Sequence, residues 1–292
     1  MSLFRRILVA LDLSKNDDVL IRHAAYLAEH FGTERIYFLH AVENLEEKEA
    51  VMEKYDLDNE DEPLDEQVMN KLSQELSHQF PDDCELEAGV VEGSPYDALL
   101  HWSKVKKVDL MLLGRRKVDS KSGIVARKLA RNAPCSVLFL PINMEPGFSK
   151  LLVPIDLSDY SARVLEEGLS LRHQLEGLSM GSVFVFERRS LAFTLSRSAE
   201  QMDAITRKNA EEAADRFFDQ FANPTLRNTF EIIEDHHDSP AQHIAEYAWE
   251  NNYDLVLIGA QGHSKLEKFL LGSVAEQLVE IDDDLPLLIL KQ

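Results

Sequence analysis

The strongest constraint on this chain is that it repeats itself. Arg6-Ile7-Leu8-Val9-Ala10-Leu11-Asp12-Leu13-Ser14 returns as Lys150-Leu151-Leu152-Val153-Pro154-Ile155-Asp156-Leu157-Ser158. Gly93-Ser94-Pro95 returns as Asp238-Ser239-Pro240, and Val108-Asp109-Leu110-Met111-Leu112-Leu113-Gly114 as Tyr253-Asp254-Leu255-Val256-Leu257-Ile258-Gly259. The three offsets are 144, 145 and 145 residues, so the register hardly drifts from one end of a half to the other. That is the mark of a duplicated structural unit. Turn residues at Ile142-Asn143-Met144-Glu145-Pro146-Gly147 separate the copies, which predicts domains at 1–145 and 146–292.

Within each half, short apolar runs alternate with helical spacing. Strands are expected near Ile7–Leu11, Ile36–Val42, Glu85–Val91, Val108–Leu113 and Val137–Leu140, then Leu151–Ile155, Ser182–Phe186, Phe230–Glu234, Leu255–Ile258 and Leu287–Leu290. Continuous apolar runs, rather than alternation, suit parallel strands covered on both faces. The helix from about Asp18 puts Leu20, Ala24, Leu27, Ala28 and Phe31 on one stripe and stops at Gly32. Ser94-Pro95 and Ser239-Pro240 each set an N-cap serine before a first-turn proline. Strands alternating with helices imply α/β architecture, one doubly wound parallel sheet per half. Glu43–Phe80 and Arg188–Phe221 exceed ordinary connections. They are expected to hold helices with flanking loops, the second basic at Arg188, Arg189 and Arg197.

Composition narrows the function classes. Of the 292 residues 45% are apolar, enough for a core, yet no run approaches the roughly 20 residues that span a bilayer. The start resembles a signal peptide only until Asp12 interrupts its apolar stretch, which reads instead as a first strand. Cys84 and Cys135 lie outside any C-x-x-C pattern and read as reduced thiols, so a cytoplasmic protein is expected, with no membrane partner. The net charge of −21 argues against nucleic acid, because phosphate backbones demand lysine and arginine. From Glu43 to Glu87 there are 17 acids against Lys48, Lys54 and Lys71, an excess that reads as a solvated face.

Chemistry concentrates after the fourth strand of the second half. Gly259-x2-Gly262-x9-Gly272-Ser273 runs from strand to helix, where backbone amides attract anions and glycine admits a ligand to the backbone. If strands one and four of that half are neighbours, Asp156 faces the same crevice, and its carboxylate can accept from ribose hydroxyls or an adenine amino group. A structural reading competes: Ser273-Val274-Ala275-Glu276 fits a capping box, and glycines after a strand can be turn chemistry alone. Spacing leaves both open. His236, His237 and His243 with Asp235 and Asp238 read as a polar loop rather than a metal site, since zinc needs converging ligands. No Ser/His/Asp or Cys/His arrangement is evident, and no catalytic residue is assigned.

The run Val153-Pro154-Ile155-Asp156, the G-x2-G-x9-G-S pattern and a closing apolar strand together resemble the universal stress protein family, over both halves of the chain. The resemblance implies an adenine nucleotide alpha hydrolase-like fold, a five-stranded parallel sheet with helices on both faces in each of two tandem domains. It also implies that the second domain binds ATP, with or without Mg, or another adenine nucleotide. Pro154, Asp156 and the backbone of strand two near Val185 and Phe186 would surround adenine and ribose. Gly259, Gly262, Gly272, Ser273 and Val274 would hold ribose and phosphates. Gln261 stands where many ATP binders in the family have a basic residue. The first half departs from the pattern: Arg115-Arg116-Lys117 follow Gly114, Gly123 comes early, Ile124 replaces the serine and Ala10 the proline. Asp12 survives. A degenerate site, empty or altered, is expected there.

These readings converge on a ligand-responsive stress or regulatory protein. The alternatives are a slow ATPase or nucleotide-processing enzyme, and a nucleotide-independent interaction module with an unknown protein partner. Val137–Leu140 and Leu287–Leu290 are apolar enough to be covered edges, so they are expected to pair within the chain as a pseudo-dimer, with a homodimer as a further option.

Overall fold

The computed structural model describes residues 3–14, 16–57, 62–76, 79–115, 121–142, 144–187, 199–220, 224–235, 239–261, 271–281 and 284–291. By contacts the chain forms two compact units, Met1–Gly147 with Pro286–Gln292, and Phe148–Leu285. The last strand is therefore grouped with the first unit, a departure from the boundary at 146–292.

The first unit runs β1 (Arg6–Leu11), α1 (Asn16–Phe31), β2 (Arg35–Val42), α2 (Leu45–Lys54), α3 (Leu64–Leu76), β3 (Glu85–Glu92), α4 (Pro95–Val105), β4 (Leu110–Gly114), α5 (Lys121–Asn132) and β5 (Ser136–Leu140). Its parallel strands lie in the order β3-β2-β1-β4-β5. The strand order reverses between β1 and β4, the doubly wound pattern that opens a crevice beyond the strands' carboxyl ends. The long segment after β2 resolves into α2 and α3. β10 (Leu287–Leu290) pairs antiparallel with β5, Leu287 opposite Phe139 and Ile289 opposite Val137. Continuous apolar character in both strands fits this mutual cover.

The second unit runs β6 (Lys150–Pro154), α6 (Asp159–Gln174), β7 (Ser179–Glu187), α7 (Ala199–Gln220), β8 (Phe230–Asp235), α8 (Pro240–Glu250), β9 (Leu255–Gly259) and α9 (Ser273–Glu280). Its sheet order is β9-β6-β7-β8, all parallel, so β6 and β9 are neighbours and the reversal lies between them. The basic Arg188, Arg189 and Arg197 lie outside the described residues, as do His236, His237 and Asp238. His243 sits in α8, its Nδ1 3.8 Å from Glu246. Among the described residues no cluster of His, Cys, Asp and Glu could hold a metal, and no helix is long and apolar enough to cross a membrane.

Several repeated residues turn out to build the scaffold. Asp109 accepts from the Arg6 backbone amide at 2.9 Å, and Asp254 accepts from those of Ser149 and Lys150, both at 2.8 Å. Each carboxylate thus ties the start of one central strand to the approach of its neighbour. Ser94 and Ser239 cap α4 and α8 ahead of their prolines, as expected. Cys84 and Cys135 are free and buried, and burial pushes their thiols up to about 11 and about 12.

Candidate functional site

The turn after each unit's first strand has the same construction. Leu13 and Leu157 sit at φ 64° and φ 60°, the left-handed region that costs a branched side chain about 1–2 kcal/mol. The turn persists because its polar atoms are satisfied. Asp156 Oδ1 accepts from the Ser158 amide at 3.1 Å and from the Ser158 hydroxyl at 2.5 Å. Ser158 and Ser161 then form a reciprocal capping box that opens α6. Asp156 is thereby held at the mouth of the crevice by its own loop.

The other side of the crevice comes from β9 and α9. The Gly272 amide donates to the Ala260 carbonyl at 2.8 Å, bringing the chain back beside the end of β9. Gly272 is the N-cap of α9, with extended backbone and no side-chain capping bond. Ser273 is the first helical residue. The capping box proposed for Ser273 and Glu276 is therefore corrected: a serine one position inside the helix cannot play the N-cap role. The start of α9 is left with the backbone polarity that favours an anion.

Between these walls lies a cavity of about 420 Å³. Pro154, Asp156, Val185, Gly259, Gly272, Ser273 and Val274 all line it, along with Gln261. Two expected residues stand apart. Phe186 is buried but is not on the lining, to which β7 contributes Val183, Phe184 and Val185. Gly262 lies outside the described residues.

Tyr160 and Ile244 line the cavity too, and neither was picked out from the sequence. Tyr160 is the more consequential. Its ring lies across Gly259, where an added Cβ would come within 2.3 Å of Cε1. Burial raises its phenol pKa, opposed by hydrogen bonds with the backbone of Ala260 and Gln261. The phenol thus braces the turn that carries the glycines. The only hint in the sequence is positional: Tyr160 stands 144 residues after Asn16, at the start of the corresponding helix of the second unit.

The first unit has a cavity of about 400 Å³ at the equivalent place, lined by Ala10, Asp12, Asn16, His40, Pro95 and Gly114 among others. With the repeat offset these correspond to Pro154, Asp156, Tyr160, Phe184 or Val185, Pro240 and Gly259. Two differences stand out. Helix α2 adds Glu47 and Val51 to this wall, and Asp17 lies buried just behind it. The Asp17 carboxylate accepts from the amides of Asp12 and Leu13, both at 3.0 Å, and from Lys54 Nζ at 2.5 Å. His40 Nε2 is 2.9 Å from the Tyr55 hydroxyl, and burial lowers its pKa to about 4, so the ring is neutral near pH 7.

The sequence model of the universal stress protein family matches residues 3–141 and again 147–281. Universal stress protein MJ0531 of Methanocaldococcus jannaschii is 24% identical over 150 residues, covering 51% of this chain and 86% of that protein. Among solved structures, PA1789 from Pseudomonas aeruginosa PAO1 superimposes with a TM-score of 0.67 at 17% identity, covering 99% of this chain and 92% of the other. A universal stress protein from Archaeoglobus fulgidus gives 0.62 at 15% identity, over 100% of this chain and 97% of its own. At these identities the structural likeness speaks for the fold, and the double family match speaks for ancestry. The chain belongs to the universal stress protein family, as a tandem member with two doubly wound α/β domains.

Proposed function

We propose that the second domain binds ATP or a related adenine nucleotide, and that the protein acts as a nucleotide-responsive stress or regulatory protein. The observation that carries this reading is the meeting of Pro154, Asp156, β7 and the uncapped start of α9 around one cavity. A cavity of about 420 Å³ falls within the ordinary range for small ligands. Ile155, Val183, Val185 and Ile244 offer an apolar slot for a flat base. Asp156 offers an acceptor for ribose hydroxyls. The amides at Ser273 and Val274 suit phosphate oxygens without needing a basic side chain.

Binding, rather than fast turnover, is the role these residues support. Among the described lining residues Asp156 is the one carboxylate, and there is no lysine or arginine to stabilise a transferring phosphoryl group. Calorimetric titration of the full chain with ATP, with and without magnesium, tests the reading. Asp156→Ala and Ser273→Ala are each expected to weaken binding about tenfold or more, the scale of one hydrogen bond to a charged or strongly polar group. Absence of ATP binding by the parent chain would refute it. Rapid phosphate release would turn the conclusion toward an enzyme.

A further inference from the structure

Tyr160 is the second residue of α6, just inside the capping box that fixes the start of the helix. From there its half-buried ring lies across Gly259, and the phenol reaches the turn that leaves β9. It meets the backbone of Ala260 and Gln261 through hydrogen bonds that favour its ionised form. A bond of that sense comes from a donor, so the two amides donate and the phenol oxygen accepts. Successive amides in a turn make a concavity suited to an anion. In this chain a side-chain oxygen already lies against them.

The contact matters because the cavity has few other means of holding negative charge. Among its described lining residues there is no lysine or arginine, and Asp156 repels phosphate. Phosphate affinity therefore rests on backbone amides, those at the start of α9 and those at the end of β9. Tyr160 and Gln261 both line the cavity and keep part of their surface exposed, so a ligand can reach them. The first unit closes the equivalent turn differently. Asn16 lies against Gly114, and Arg115, the counterpart of Ala260, donates its amide to the Leu140 carbonyl at 2.7 Å. There the sheet holds the amide. In the second unit a side chain meets it, and a side chain can be displaced without unpairing a strand.

We propose that Tyr160 is a specificity-determining residue that competes with phosphate, its phenol oxygen filling the place of a ligand oxygen on the Ala260 and Gln261 amides. The inference rests on the reading of this cavity as a nucleotide site and adds a control to it. A phosphate that takes these amides must displace the phenol, which its stronger, charge-assisted bonds permit at a cost in affinity. A ligand without phosphate leaves the contact intact. The phenol thereby lowers affinity for ATP, leaves that for adenosine unaltered, and narrows the site's discrimination between them.

The test titrates the full chain and its Tyr160→Phe variant with ATP and with adenosine by calorimetry. The variant keeps a ring over Gly259 and loses only the oxygen. It is expected to bind ATP about tenfold more tightly, the worth of two ordinary hydrogen bonds that no longer have to be broken, and adenosine within about twofold of the parent. A residue that only braced the turn would shift both ligands together or weaken ATP. Hydrogen exchange gives a second reading with inorganic tripolyphosphate, which needs no slot for a base. The peptide carrying Ala260 and Gln261 should exchange faster in the ligand-free variant than in the parent, and tripolyphosphate should protect it more strongly in the variant. Should Tyr160→Phe not fold, Tyr160→Met, which also lacks the oxygen, replaces it. If the parent binds ATP and the folded variant binds it no more tightly relative to adenosine, the inference alone is overturned. A parent that binds no nucleotide overturns the nucleotide reading instead. The tripolyphosphate comparison then decides the inference: stronger protection in the variant upholds it, and equal protection overturns it.

Discussion

Replacing Lys54 by methionine tests the buried charge on which the first unit's cavity wall rests. The Asp17 side chain is 0% exposed, while that of Lys54 keeps 29% exposure. Stranding one member of a fully buried pair costs about 3–5 kcal/mol. Here the lysine is partly solvated and two backbone amides stay on the carboxylate, so the expected loss near pH 7 is about 2–3 kcal/mol. The pH dependence gives the sharper signature. Burial raises the Asp17 pKa, and Lys54 and the Asp12 amide oppose that rise. An acid whose pKa is raised by folding contributes stability below its unfolded value that is lost as pH rises through the folded value. Removing Lys54 raises the folded pKa further. The variant's deficit should therefore nearly vanish below the ordinary value of 3.8 and grow toward neutrality. Each unit holds one tryptophan, Trp102 and Trp249, so urea unfolding in a Trp249→Phe background reports the first unit alone. Equal stability of variant and parent at neutral pH, or a deficit that does not change with pH, would refute the reasoning.

Three further outcomes are expected. Gly259→Ala places a Cβ 2.3 Å from Tyr160 Cε1 and 2.9 Å from Val164 Cγ2; it should cost the second unit about 1–3 kcal/mol in urea unfolding, and combining it with Tyr160→Ala should recover part of that loss rather than add to it. The His40 ring should titrate near its lowered value of about 4 by NMR, and because a depressed histidine pKa favours the fold only above that value, its contribution should be complete above the ordinary 6.5 and decline as pH falls from there toward 4. Leu288→Lys, at a 3% exposed position opposite Leu138 in the β5–β10 pair, should lower the stability reported by Trp102 by at least about 2 kcal/mol, and an unchanged midpoint would mean that β10 does not support the first unit.

The duplicated architecture was legible because the repeat combines two kinds of residue. Asp109 and Asp254 recur to pin strand starts, and Ser94 and Ser239 recur to cap helices; both act within a few residues or across one strand pair. Asp12 and Asp156 recur in a turn whose leucine has positive φ, a geometry that hydrophobic pattern alone does not reveal. The cavity residues on the Pro154 loop and at Gly272–Val274 were legible through motif spacing. Tyr160 and Asn16 were not, because each acts through a contact far away in sequence: Tyr160 against the turn after β9, Asn16 against Leu140. The role of Ser273 depended on a one-residue shift in the start of α9, below the precision with which a helix end can be read from sequence.

Hydrogen exchange of the full chain with and without ATP, resolved to peptides, bears most directly on the account. The two copies share their architecture, so only a comparison within one molecule separates a nucleotide site from its altered duplicate. Added ATP is predicted to protect peptides carrying Pro154–Ser161 and Gly272–Glu276 and to leave those carrying Ala10–Asp17 and Leu113–Gly114 unchanged. Protection confined to the first-unit peptides, or none anywhere, would contradict it.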